Sequence, residues 1–312
     1  MGSEFPRIES LDFSGMGTEL GLLIVVKNEE EAKRARTDLS AAKEKYARLE
    51  KIFSRFDPES ELSRLNAHLN EAIPASADLT AIAKKSLDYY ESTEGIFDPR
   101  IIGHLESIGY AKDFKKSDFT PIVPLSPPDI SKDLKSDLQI SEGKVRFSER
   151  MDFSGIVKGF ATDQITAFFR EMGWRNFLVD SGGDMFAAGR PPESEKWNIA
   201  VEGVDEKNLH LSISEKAVAT SGISRRKWER DGKRFHHLIH PKYPTNFSFD
   251  LRTVSVIADS AEEADVLAKT IFIKDKEERE KFVESQKISA IFLFYSGRVK
   301  ISSSAKEHCV LG

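Results

Sequence analysis

Apolar residues along this 312-residue chain change their spacing several times, and each change marks an element. TELGLLIVV (18–26) is a near-continuous apolar run of strand length. The charged stretch after it carries Ala32, Ala35, Leu39, Ala42, Tyr46, Leu49, Ile52 and Phe56 at three- and four-residue intervals, which is one face of an amphipathic helix. Pro58 helps end it, and ESELSRLN (59–66) follows as a short turn or helix. A second helix is predicted over 77–92. EGIFDPR (94–100) then interrupts with Gly95 and Pro99, leaving Phe97 and Asp98 on a turn. Segment 112–143 is the least regular, punctuated by KDFKKSDF, PIVPLSPP and SEGK.

The second half is better patterned. KVRFSERMDF (144–153) alternates as a strand does, and from Val157 the positions Ala161, Ile165, Phe168 and Met172 fit one helix face. NFLVD (176–180) is a buried strand ending at SGGD. Trp197, Ile199 and Val201 alternate with polar neighbours, as do Leu209, Leu211 and Ile213, and further strands are predicted over 234–239, 253–258 and 289–295. A helix begins near Ser260, where Ser260 and Glu263 have capping-box spacing. With no internal repeat, strands with intervening helices predict a mixed α/β fold.

Composition narrows the classes. Hydrophobic residues at 39% and charged residues at 31% describe a soluble globular chain, and the net charge of −5 argues against a dedicated nucleic-acid binder, local basic patches aside. The single cysteine, Cys309, excludes an internal disulfide framework and a cysteine metal cluster. The longest apolar runs are too short to span a bilayer. The N-terminal MGSEFPRIES lacks a basic n-region followed by an apolar h-region, but GSEF reads as a cloning remnant, which leaves the native signal and address open.

Three glycine-bearing turns are the candidate chemistry. In MDFSGIVKGFATDQI (151–165), Gly155 and Gly159 permit close backbone approach, the start of the following helix offers free amides, and Lys158 adds a mobile positive charge. This can suit a phosphate, but taken alone it is more simply a strand-to-helix turn with a solvent-facing lysine, and it matches neither the P-loop nor the Rossmann spacing. VDSGGDMFAAG (179–189) places Asp180 to cap a turn and Asp184 to receive ligand donors, or is a strand exit held by Asx turns. AVATSGISRR (217–226) is a third such turn, with Thr220, Ser221 and Gly222 followed by two arginines. His236, His237 and His240 do not make a metal cluster, because neighbouring strand positions point to opposite faces.

Together with GMGTEL (15–20), FDPESELSRLN (56–66), GIFDPR (95–100), DGKRFHHLIHP (231–241) and VSVIADSAEEADVLAKTIFI (254–273), these segments resemble, in order and spacing, the ApbE family of flavin transferases. The resemblance implies an α/β, T-fold-related architecture of mixed sheets and helices: one ApbE-like domain over 11–312 with two intimate subdomains and an irregular connection near 112–143. Residues 1–10 are remnant and lead. It implies FAD in a deep cleft, FMN transfer from FAD to a threonine or serine of an acceptor flavoprotein with release of AMP, and Mg2+ neutralising diphosphate charge. FAD hydrolysis to FMN and AMP, and a noncatalytic flavin-binding scaffold with a degenerate metal site, are the alternatives. A periplasmic or envelope-associated location stays open, and the oligomeric state is not legible.

Carried residue by residue, the resemblance gives FAD contacts to Met16, Thr18, Asp98, Gly155, Lys158, Gly159, Gly182, Gly183, Asp184, Thr220, Ser221, Gly222 and His237. Lys158, His237 and Asp265 are the catalytic candidates, His237 helping the acceptor hydroxyl lose its proton, and Asp265 with the Val157 carbonyl is the implied metal ligand set. Three departures cluster there. His240 replaces an aspartate, KYPTNF replaces a basic-Thr-Gly turn, and Lys269 stands where a metal-associated threonine is common, with Thr270 one residue and about 100° round the helix. Lys269 therefore either enters the site as a cation substitute beside Asp265 or snorkels outward.

Overall fold

The computed structural model describes residues 5–111, 130–224 and 226–312. The first half runs β1 (Arg7–Gly15), β2 (Thr18–Val26), α1 (Glu29–Phe53), α2 (Glu61–Ala67), β3 (Ile73–Pro74), α3 (Ala77–Ser92), α4 (Ile102–Ser107), α5 (Leu134–Asp137), β4 (Leu138–Ser141) and β5 (Lys144–Phe147). Then come α6 (Val157–Glu171), β6 (Phe177–Asp180), β7 (Asp184–Ala188), β8 (Trp197–Ala200), β9 (Leu209–Ile213) and β10 (Lys216–Gly222). The chain finishes with β11 (Lys227–Arg230), β12 (Lys233–His236), β13 (Leu251–Ala258), α7 (Ala261–Ile273), α8 (Lys276–Ser285), β14 (Ser289–Phe294), β15 (Val299–Ile301) and β16 (Cys309–Leu311).

Eight antiparallel strands in the order β1-β2-β6-β7-β10-β13-β14-β15 form the central sheet. Its two faces are read directly from the period-2 alternation of β2. Leu20, Leu22, Ile24 and Val26 pack with the buried faces of α1, α6 and α7, while Leu23 and Val25 join Trp197, Ile199, Leu209 and Leu211 of a small sheet, β16-β9-β8, on the other side. A third sheet, β3-β5-β4, packs with α2, α3 and α5. The predicted α/β class holds, as a helix layer and a small sheet flanking one antiparallel sheet.

Local sequence explains several boundaries. Asn28 accepts from the Glu31 amide at 2.9 Å while Glu31 accepts from the Lys27 amide, and glutamates fill the first turn of α1. That helix stops at Phe53, so Phe56, predicted on its apolar face, lies beyond it and is exposed. The strand predicted over 144–153 pairs only through Phe147. Beyond it Asn66 bonds both backbone groups of Met151, at 2.8 Å each, in place of a strand partner. On α6 the buried line is Val157, Ala161, Ile165 and Phe169, so Phe168 is only partly covered and Met172 is exposed at the C-terminal cap. The predicted 234–239 strand ends at His236. Residues 217–222, read as part of a turn, are the sheet strand β10 between β7 and β13. Within the irregular 112–143 connection, the helical turn α5 and strand β4 occupy 134–141, and residues 112–129 lie outside the described residues.

Candidate functional site

The 151–158 turn is anchored before it presents anything. Met151, Phe153 and Ile156 are fully buried, Asp152 meets the Arg55 guanidinium at 3.2 Å, and the Asp152 amide bonds the Pro99 carbonyl. α6 then begins at Val157 without a side-chain cap, and the Ile156 and Val157 amides donate instead to the Phe153 carbonyl at 3.0 Å. Lys158 leaves this turn and pairs with Asp184, the first residue of β7. Thus the first and second sequence motifs converge on one ion pair rather than standing as separate turns.

A second pair lies alongside. On α7, Lys269 folds back one turn to pair with Asp265, and its stem passes near Gly155. The alternative of an outward lysine is therefore not the one adopted: its side chain is 18% exposed. Asp265 lies close enough to Asp184 that burial first, and the Asp265 charge second, push the Asp184 carboxyl up to about 6, against the pull of Lys158 and Lys269. Burial opposes charge on Lys158, but Asp184 and Asp265 outweigh it and raise its ammonium above the ordinary lysine value. Each carboxylate has one oxygen on a lysine and one, Asp184 Oδ1 and Asp265 Oδ2, buried without a hydrogen-bond partner.

Beneath Asp184 runs a buried hydroxyl chain that periodicity alone does not reveal. Tyr46 Oη meets Ser181 Oγ at 2.7 Å, Ser181 Oγ meets Thr162 Oγ1 at 2.6 Å, and the Thr162 hydroxyl lies 3.0 and 3.1 Å from the Lys158 and Asp184 carbonyls, which share it as acceptors. Tyr46 looks like core from its helical spacing, and only its hydroxyl is functional in this network. The 181–183 turn is an Asx turn as predicted, with Asp180 accepting from the Gly183 amide at 2.8 Å. Gly182 has φ +71°, and a Cβ there would overlap Thr18, which brings the β1–β2 hairpin, with Met16 at φ 50° in its turn, against this loop.

His237 sits just past β12, half-buried, with Nδ1 at 3.2 Å from the Arg226 carbonyl. A carbonyl only accepts, so in the neutral ring Nδ1 carries the proton and Nε2 holds the lone pair. Burial, with the charges of Arg226 and Lys269, holds this imidazole well below 6.5. Arg226 also bears on Lys158, so it belongs to the charged cluster. The sequence signal for it was only "two arginines" after Gly222. Among the described residues no ion pair is made by Arg226. His236 faces Phe247, Phe249 and Phe272, and His240 bonds the Lys242 amide; neither joins the cluster.

The other candidates are placed less centrally. Asp98 is committed to the buried Arg100, which it grips through both oxygens, and Arg100 also pairs with Asp137 at 2.7 Å. Gly159 faces Ala261 and Glu262 at the start of α7, where helix packing leaves no room for a side chain. Thr220 is bonded to Ser255 at 2.8 Å, Ser221 is buried, and Gly222 abuts Arg252 and Thr253, all as parts of the sheet. The Val157 carbonyl lies in the first turn of α6, where helical geometry directs it along the axis.

These residues do not fit the divalent cation that the resemblance implies. Among the described residues no three His, Cys, Asp or Glu side chains gather as a metal set. The Asp265 carboxylate that would anchor the ion holds Lys269 through Oδ1, and Asp184 holds Lys158 through Oδ2, so an ammonium already stands on each carboxylate. What the arrangement can do is receive an anion: the Lys158 and Lys269 ammonium groups stand on neighbouring buried carboxylates, and Arg226 acts on Lys158 and His237.

Comparison with known proteins follows the geometry. The ApbE family profile matches residues 16–292. The chain is 27% identical over 268 residues to an FAD:protein FMN transferase of Haemophilus influenzae, covering 81% of this chain and 77% of that protein. It is 26% identical over 308 residues to an FAD:protein FMN transferase of Treponema pallidum, covering 87% and 82%. The structure superposes on the flavinyl transferase ApbE of Pseudomonas stutzeri in its apo form with a TM-score of 0.80, at 22% identity, covering 97% and 96%. It superposes equally, TM-score 0.80, on the ApbE protein of Thermotoga maritima at 25% identity, covering 97% and 99%.

Proposed function

The chain belongs to the ApbE family, and on that premise we propose that it transfers FMN from FAD to a threonine or serine hydroxyl of an acceptor flavoprotein, releasing AMP. The observation that supports this most is the pairing of Lys158 with Asp184 and of Lys269 with Asp265 in one buried cluster at the start of α6. Splitting a diphosphate demands positive charge on the transferring phosphoryl oxygens and on the departing phosphate. The acceptor oxygen forms a bond to the FMN phosphorus, the bond from that phosphorus to the bridging oxygen breaks, and the bridging oxygen leaves as part of AMP. Lys158 and Lys269 meet the charge that develops.

The hydroxyl proton must go to a base. His237 is neutral at physiological pH and its Nε2 lone pair is free of the Arg226 carbonyl. A base of depressed pKa is a weak acceptor until negative charge arrives, and the diphosphate brings that charge into the same cluster. Asp184 and Asp265 orient the two lysines, and the Tyr46–Ser181–Thr162 chain fixes the Asp184 backbone. Thr18 and Gly182, held in contact, position the nucleotide. No step passes through Mg2+.

Incubation of the protein with FAD and an acceptor flavoprotein tests this. Chromatography detects AMP, and the intact mass of the acceptor separates transfer from hydrolysis to free FMN. Lys158→Met and His237→Gln each lower AMP release by about a hundredfold or more. Stoichiometric FAD binding with no AMP, across acceptors and metals, would leave only a noncatalytic flavin-binding protein.

A further inference from the structure

Two carboxylates close together in a buried site require a cation between or beside them. In this chain that demand is met covalently. Lys269 lies four residues after Asp265 on α7, and its methylene stem passes beside Gly155, with Lys269 Cδ 3.8 Å from where a Cβ would stand. Phe97 flanks the same space at 3.2 Å, so the stem is confined between a ring and a bare backbone, and the ammonium is delivered to Asp265 Oδ1. The same ammonium acts on Asp184 and on His237, which places it amid the catalytic candidates.

We propose that the Lys269 ammonium holds the place of a divalent cation between Asp265 and the substrate's diphosphate, making phosphate binding at this site independent of metal. This rests on the flavin-transfer reading above. Of the three ammonium donors, one is spent on Asp265 Oδ1, leaving two for phosphate oxygens. Asp184 and Asp265 each give one oxygen to a lysine. A diphosphate is attracted by those ammonium groups, whereas a divalent cation is repelled by them and must displace Lys269 from Asp265 Oδ1.

The test compares the parent protein with Lys269→Met, which keeps the stem over Gly155, and with Lys269→Arg, which keeps the charge; melting curves confirm that each is folded, with Lys269→Gln in reserve. Binding of Mn2+ is followed by loss of the free-ion paramagnetic resonance signal, and FAD binding by fluorescence quenching in EDTA and in excess Mg2+. The parent and the arginine variant leave millimolar Mn2+ free. Lys269→Met binds one ion at least about tenfold more tightly, and adding Asp265→Asn abolishes that gain. Parent FAD affinity is the same in both media, whereas that of Lys269→Met falls about tenfold in EDTA and recovers with Mg2+. Mn2+ bound by the parent as tightly as by Lys269→Met, or parent FAD binding that collapses in EDTA, overturns the proposal. Parent protein that binds no FAD in either medium overturns the flavin-site reading instead, and the Mn2+ comparison still decides whether Lys269 excludes the ion.

Discussion

Gly159→Ala sets two well-understood effects against each other. A glycine inside a helix costs about 0.8–1.0 kcal/mol relative to alanine, so an isolated α6 would gain from the change. In the folded chain the new Cβ stands 2.5 Å from the Ala261 carbonyl oxygen and 2.5 Å from Glu262 Cα. Those atoms are backbone, at the start of α7 where Asp163 accepts from the Ala261 and Glu262 amides at 2.8 and 3.0 Å, so they cannot rotate away. Relief requires α6 and α7 to part by roughly 0.9 Å, and overpacking of this kind costs about 1–3 kcal/mol. With backbone on the far side the upper end applies, leaving a net loss of about 2 kcal/mol and a melting midpoint lower by about 3 °C for a chain of this length. Because Lys158 rides on α6 and Asp265 and Lys269 on α7, FAD affinity weakens in parallel. Gly155→Ala, which meets the Phe97 ring at 3.2 Å, is the milder control. An alanine variant at 159 as stable as the parent, or more so, would refute the claim that the helix contact rather than backbone freedom requires glycine there.

Three further perturbations read other parts of the fold. Arg100→Met strips the cation from the buried Asp98 and Asp137 and lowers stability by about 3–5 kcal/mol in denaturant unfolding, far more than loss of a surface pair such as Arg170–Glu215. Ser181→Ala leaves the buried Tyr46 hydroxyl without its nearest partner and costs about 1–3 kcal/mol, measured the same way. His236 is held down to about 4 by burial among Phe247, Phe249 and Phe272, so its neutral form stabilises the fold fully above pH 6.5 and that stability is lost as pH falls from 6.5 towards 4. The loss reaches about 3 kcal/mol, and His236→Phe flattens the acid limb of the stability–pH curve; an unchanged limb would contradict the assignment.

The long elements were legible because burial writes a period into them. α1 and α3 follow from helical spacing, and β2 from a run apolar on both faces, since it lies between the helices and the second sheet. Two kinds of element escaped. β1 alternates with partly buried residues at the sheet edge and carries too little apolar signal, while β10 is rich in alanine, serine and glycine and reads as a turn until β7 and β13 are set on either side of it. The strand over 144–153 failed for the opposite reason: its alternation persists after the pairing partner ends, and a side chain, Asn66, takes over the backbone bonds.

The site was legible as a set of motifs but not as a charge balance. Lys158, Asp184 and Asp265 come together from three elements, yet nothing in their spacing says that Lys158 meets Asp184 or that Asp265 bears on both. Lys269 is instructive because its two sequence-compatible directions differ by little more than the rotamers of a flexible stem. The inward one is held by the Asp265 carboxylate one turn back on the same helix, with the stem passing Gly155. A Cβ at 155 would meet the Phe97 ring at 3.2 Å but the Lys269 stem only at ordinary contact, 3.8 Å. Removing the Lys269 charge, rather than filling position 155, is therefore the change that separates the Asp265–Lys269 pair from a dependence on an ion from solution.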